Sequence, residues 1–128
     1  MSSGLELYDS RIDELQIVDS DARVHFSHAC ILKSKGAPGR DGGSGWSQEA
    51  LLVIRGAAVT APLPVLPNTI ADGCLRVGGI RHGLLPLPFK RKAEVELSLV
   101  FSDGTSLRIA GRGAVVELLG KATYLEDF

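Results

Sequence analysis

His28, Cys30, Cys74 and His82 are the residues of this chain whose types could bind a soft metal or supply a nucleophile. On an extended strand His28 and Cys30 project to one face, and Cys74 with His82 would complete a tetrahedral set for zinc. Their spacing fits no zinc pattern, and Cys or His on an otherwise apolar strand face is more often packed core, so no metal and no cofactor is expected. A Cys–His nucleophile pair would need an imidazole within reach and an electropositive setting for the thiol, and the sequence indicates neither. Tyr8-Asp9-Ser10 and Phe101-Ser102-Asp103 bring Asp and Ser together, but no Gly-x-Ser-x-Gly elbow occurs and both segments read as turns or strand ends. No catalytic residue is assigned.

Residues 36–45 are rich in glycine, which invites a phosphate-binding reading. A P-loop needs Gly-x-x-x-x-Gly-Lys-Ser/Thr, and here Trp46-Ser47-Gln48 follows instead. Arg76, Arg81, Lys90, Arg91 and Lys92 cluster in sequence, yet a nucleic-acid module would interleave exposed aromatics, and only Phe89 is nearby. A solvated edge protected by charge is the preferred reading, and no nucleic-acid partner is expected. Trp46 ends the glycine-rich loop, where it anchors a partner or closes the core beneath the loop, the second being favoured. Loops on a rigid β scaffold commonly carry recognition, so Arg40, Asp41 and Trp46, with Arg81 and His82, are the candidate partner-binding residues.

The elements that must position these residues are strands. With 128 residues, 45% hydrophobic and 23% charged, the chain has the balance of one globular domain with one core. Fourteen basic against fifteen acidic residues give a formal charge of -1, so there is no global attraction to polyanions. The longest apolar runs fall far short of the roughly 20 residues that span a bilayer. The opening Met-Ser-Ser-Gly lacks the basic and apolar regions of a secretory signal, and two cysteines without Cys-x-x-Cys spacing suit free thiols in the cytoplasm better than a disulfide.

Two strand-like runs within residues 95–111 flank Ser102-Asp103-Gly104, a type I turn closed by a left-handed glycine. That loop sets Phe101 opposite Thr105, Leu99 opposite Leu107, Leu97 opposite Ile109 and Val95 opposite Gly111, all on one face. Residues 11–18 and 23–33 around Asp19-Ser20-Asp21 form a second hairpin. Strict alternation puts Val24, Phe26, His28, Cys30 and Leu32 in the core. A mobile loop is expected over 34–46 and a strand over 48–59. Five prolines between 62 and 88 break that stretch into short strands, with turns at Asp72-Gly73 and Gly78-Gly79. A closing hairpin turns at Gly120-Lys121. The fold class is mainly β with little helix: an antiparallel β-sandwich or a partly closed β-barrel, one domain over 1–128.

Tyr8-Asp9-Ser10, the alternating strand through Phe26-Ser27, and Phe101-Ser102-Asp103-Gly104-Thr105 followed by Ile109 and Gly111 resemble small bacterial β-rich families, including immunity proteins of polymorphic toxin systems. Those open with His-Asp-Ser where this chain has Tyr8. The resemblance covers the two ends of the chain and implies a non-catalytic protein that binds and blocks one toxin. The function expected is therefore a protein-binding module with another protein as partner and no membrane contact. Exposed strand edges could also pair two copies across a two-fold axis into a homodimer. The alternative is a β-barrel for a small molecule or carbohydrate, with apolar side chains of 24–32 and 95–109 lining a cavity.

Overall fold

The computed structural model describes residues 2–36 and 42–128, and among these every regular element is a strand. β1 (Ser2–Val18) and β2 (Asp21–Ser34) form the first hairpin, and β3 (Gly43–Arg55) lies antiparallel against β2. The proline-rich middle yields β4 (Ala58–Thr60), β5 (Asn68–Val77), β6 (Ile80–His82), β7 (Leu84–Leu87) and β8 (Lys90–Arg91), of which only β5 is long. β9 (Val95–Phe101), β10 (Ser106–Gly111) and β11 (Gly113–Asp127) complete the chain. They join in the order β4-β10-β9-β5-β1-β2-β3-β11-β8, with β6 on β5 and β7 on β1 beside this path. The antiparallel sheet curls into a half-barrel, so the partly closed barrel is the architecture adopted. No helix among the described residues is long and apolar enough to cross a membrane.

Turn chemistry sets the registers. Gly104 takes φ 86° and its N–H bonds Phe101 O, while Thr105 O accepts from Phe101 N–H at 2.8 Å. Leu99 then meets Leu107, Leu97 meets Ile109 and Val95 meets Gly111, as the three-residue loop predicts. In the first hairpin Asp19 and Ser20 both have positive φ, which makes a two-residue turn whose twist matches the strands. Asp21 is released to open β2, where its carboxylate holds Arg55 at 2.7 Å and the Gly56 N–H.

The curl closes at one corner, where β10 passes into β11 through Arg112 alone. The Arg112 N–H bonds Arg55 O at 2.8 Å, which brings the end of β10 onto β3. Gly111 makes this approach feasible: a Cβ there would press on Ile54 Cγ2 and lie 2.6 Å from Arg55 O. Inside the curl, Val24, Phe26, Leu97, Leu99 and Ile109 are at most 1% exposed and belong to one packed cluster with Leu5, Ile12 and Leu52. The apolar side chains that the ligand-barrel reading assigns to a cavity wall are thus packed against one another.

Three expectations are corrected. The strict alternation along β2 fails because a bulge between Phe26 and Ala29 shifts its pairing with β3. One extra residue moves every later side chain to the other face, so Ala29 and Ile31 enter the core while His28, Cys30 and Leu32 leave it. Asp72-Gly73 is no turn but lies inside β5, beside an irregularity between Ile70 and Asp72. Gly120-Lys121 does not close a hairpin either. Gly120, at φ 65°, absorbs a bulge between Leu119 and Thr123, and β11 runs on along β3 to Asp127.

The apolar run in β3 is buried on both faces. Ala50, Leu52 and Ile54 point inward, whereas Leu51 and Val53 point outward and are still only 6% and 2% exposed. Register places His25 and Glu117 on either side of Leu51, and Arg23 and Val115 on either side of Val53. Such side chains cover a central strand with their apolar stems while their polar ends stay wet. β2 and β3 also take up the flanks of the glycine-rich segment, so Ser34 and Trp46 are strand residues.

Candidate functional site

Trp46 belongs to a rung of side chains across three strands, with Ile31 of β2 on one side and Tyr124 of β11 on the other. Ile31 is buried, Trp46 is half-buried and Tyr124 is 51% exposed, so this rung climbs out of the core into solvent. The indole meets Tyr124 edge-on at 5.4 Å between centroids, Lys33 Nζ sits 4.4 Å from its centre, and its Nε1–H donates to Ser44 Oγ at 2.8 Å. Trp46 therefore packs partly against the core, as favoured from sequence, and still offers an aromatic surface.

A cleft of about 260 Å³ opens beside it, lined by Glu6, Tyr8, Asp9, Cys30, Leu32 and Leu125 together with Trp46 and Glu126. Its shape comes from a break in the β1–β2 register between Glu6 and Arg11. Asp9 adopts φ 68°, and the wholly buried Ser10 fixes the irregularity by donating to Glu6 O at 2.6 Å and accepting from Cys30 N–H at 2.9 Å. Tyr8 and Asp9 are thereby turned outward, and Tyr8 is 59% exposed. The Tyr8-Asp9-Ser10 segment is this pinned bulge.

The cleft is acidic. Partial burial, then the charge of Asp9, raises the Glu6 carboxyl above its ordinary pKa. Burial also pushes the Cys30 thiol up, with the charges of Asp9 and Glu6 adding to it against an opposing hydrogen bond from Ser10. Desolvation and the neighbouring Asp127 and Glu126 raise the Tyr124 phenol. A raised thiol is a poor nucleophile at neutral pH, so this arrangement suits attraction of a cation beside aromatic surface better than covalent chemistry.

The other sequence-predicted site residues lie elsewhere. Arg40 and Asp41 fall outside the described residues. Arg81 and His82 sit on β6, which pairs with β5, and β1 and β2 separate β5 from β3. Arg81 lines a different groove with Asp72 and Arg108, and His82 stands edge-on to Phe89 at 6.5 Å. Arg81 and His82 are not among the residues that line the cleft with Trp46. His28 reaches Ser47 Oγ at 3.2 Å on the outside of β2, while Cys74 is buried on β5; both cysteines are free thiols. Among the described residues no three metal-ligating side chains gather closely enough to hold an ion.

Sequence reasoning missed one polar cluster. His25 of β2 is held between Asp13 of β1, 2.5 Å from Nδ1, and Glu49 of β3, 2.6 Å from Nε2. The signal lay in the hairpin register: counting back from the Asp19-Ser20 turn pairs His25 with Glu14, and a bulge at Asp13 turns that carboxylate to the same side. Comparison with family models, with curated proteins and with solved structures gives no match for this chain.

Proposed function

We propose that the chain is a protein-binding module whose contact surface is the cleft beside Trp46, and that it acts in the cytoplasm as an immunity-like inhibitor of a bacterial toxin. One observation carries the reading: Tyr8 and Leu125, each more than half exposed, line the cleft beside Trp46, with Glu6, Asp9 and Glu126 at its margin. Aromatic side chains on a rigid platform with a polar rim are the usual composition of an interface hot spot. The acidic margin favours a partner that presents a Lys or Arg side chain to the exposed Tyr8 ring. The inhibitor role rests on the family resemblance of the chain's two ends and is the finer part of the proposal.

Photo-crosslinking tests it. A crosslinking residue at position 8 or 125 should capture one partner, and the same residue at Val100, exposed on β9, should not. With that partner purified, Tyr8→Ser and Leu125→Ser should each weaken binding by about tenfold or more, as truncation of a hot-spot residue does. Capture from Val100 as efficient as from Tyr8, or affinity unchanged in both variants, would overturn the assignment. Co-expression of the captured partner with and without this chain then reads the inhibitor role directly.

A further inference from the structure

β3 carries Trp46 near one end and Arg55 at the other, roughly 30 Å apart at about 3.3 Å per residue. At the Arg55 end a second groove of about 360 Å³ is lined by Arg55, Lys90, Arg91, Lys92 and Arg112, with Glu117 as its single acidic residue. Three segments that are distant in sequence converge there because β8 pairs with the start of β11 and β11 pairs with the end of β3. Arg55 is engaged by Asp21, and Arg91 lies over the Phe89 ring at 4.7 Å. Lys90, Arg91, Lys92 and Arg112 are exposed and hold no carboxylate among the described residues. In a chain of net charge -1 this is a strong local excess of positive charge.

We propose that this groove binds an acidic, extended segment of a partner protein, at a surface separate from the Trp46 cleft. The form of the groove favours that ligand. Gly113, Ala114 and Val115 of β11 line it with the cations, and of these Val115 alone is not buried, so one apolar side chain lies among the positive charges. The cations are spread along β8 and across a corner of the sheet, which suits several carboxylates along a chain better than one phosphate. The aromatic residue there, Phe89, is 1% exposed beneath Arg91, so no stacking platform is presented to nucleic-acid bases. β8 ends the order of the sheet, which leaves the groove open on one side for a chain to pass.

The probe is a fluorescent peptide of about twelve residues with glutamate alternating with small apolar residues, read by anisotropy against the whole protein. Binding should fall about tenfold or more when Lys90→Glu and Lys92→Glu are combined, should weaken as salt screens the exposed charges, and should be unchanged by Tyr8→Ser. The glutamine version of the peptide should not bind. An oligothymidylate of matched charge that binds more tightly than the glutamate peptide would overturn the proposal in favour of nucleic acid. Displacement of the peptide by pyrophosphate at equal concentration would overturn it in favour of a compact phosphate ligand. Sedimentation supplies the remaining outcome: self-association abolished by the same lysine variants would overturn it in favour of a second copy of this chain as the occupant. Loss of peptide binding in the lysine variants with the Tyr8 and Leu125 phenotypes intact separates this surface from the first.

Discussion

His25 should make the stability of this protein fall as pH rises through neutrality. The imidazole is 24% exposed on the middle strand of β1, β2 and β3, with Asp13 and Glu49, 37% and 48% exposed, on its two nitrogens. Partial burial works against the charged ring, but the hydrogen bonds and charges of the two carboxylates outweigh it and raise the pKa above the ordinary 6.5. Arg23 and Glu14, which line the same shallow recess with Gln16, Leu51 and Leu119, bring one further charge of each sign. A pKa raised in the folded state means stability fully present below about 6.5 and lost as pH rises through the folded value. Solvent reaches all three side chains, so each ion pair belongs with surface pairs of about 0.2–1 kcal/mol, not with buried charged hydrogen bonds. Together they amount to about 1 kcal/mol, or about 3–5 °C in melting temperature for a domain of this size. Thermal melts from pH 5.5 to 8.5 should show that decline, and His25→Gln, which retains hydrogen bonding without the charge, should flatten it. A wild-type curve without the decline, the same slope in His25→Gln, or an NMR titration placing the His25 pKa at or below 6.5 would refute the reasoning.

Gly111→Ala should destabilise the fold by about 1–3 kcal/mol, since the new methyl meets Ile54 and the Arg55 carbonyl, and a backbone carbonyl in a paired strand yields little. Urea denaturation measures it, and an unchanged midpoint would show that the corner between β10 and β3 is looser than its contacts imply. Cys30, in a Cys74→Ala background, should alkylate with iodoacetamide more slowly at pH 8 than an unstructured peptide thiol, because burial and then Asp9 and Glu6 raise its pKa. Asp9→Asn should speed the reaction, and equal rates in variant and parent would remove the electrostatic cause.

The hairpin at residues 101–105 was legible because its turn is local: Ser102-Asp103-Gly104 contains the left-handed glycine, and the register of β9 and β10 follows by counting. The same counting failed along β2, and Asp72-Gly73 and Gly120-Lys121 were misread as turns, because bulges are decided by what two neighbouring strands can accommodate together. At Phe26 to Ala29 nothing in the residue types reveals that the pairing with β3 must slip, and the core face was read from an alternation that the slip reverses. Gly120 shows the same ambiguity from another side. A left-handed glycine serves a tight turn or a bulge, and only the length of β3 available for pairing chooses between them.

The candidate surfaces were partly legible for a related reason. Trp46 could be singled out because a lone tryptophan beside a glycine-rich segment is informative by itself, but its neighbours Tyr8 and Tyr124 come from strands that only the sheet order brings together. The basic residues show the converse error, in which proximity in sequence stood in for proximity in space. Arg76 and Arg81 line other grooves, the first shared with Arg112, while Arg55 and Arg112, distant in sequence, join Lys90, Arg91 and Lys92. A balanced composition conceals this sorting, since a chain of net charge -1 carries an acidic cleft at one end of β3 and a basic groove at the other. Fields at surfaces decay over about a Debye length, near 8–10 Å at moderate salt, so two ends some three times farther apart act independently on whatever approaches them. Where each charge emerges at the surface is therefore a matter of strand order more than of composition.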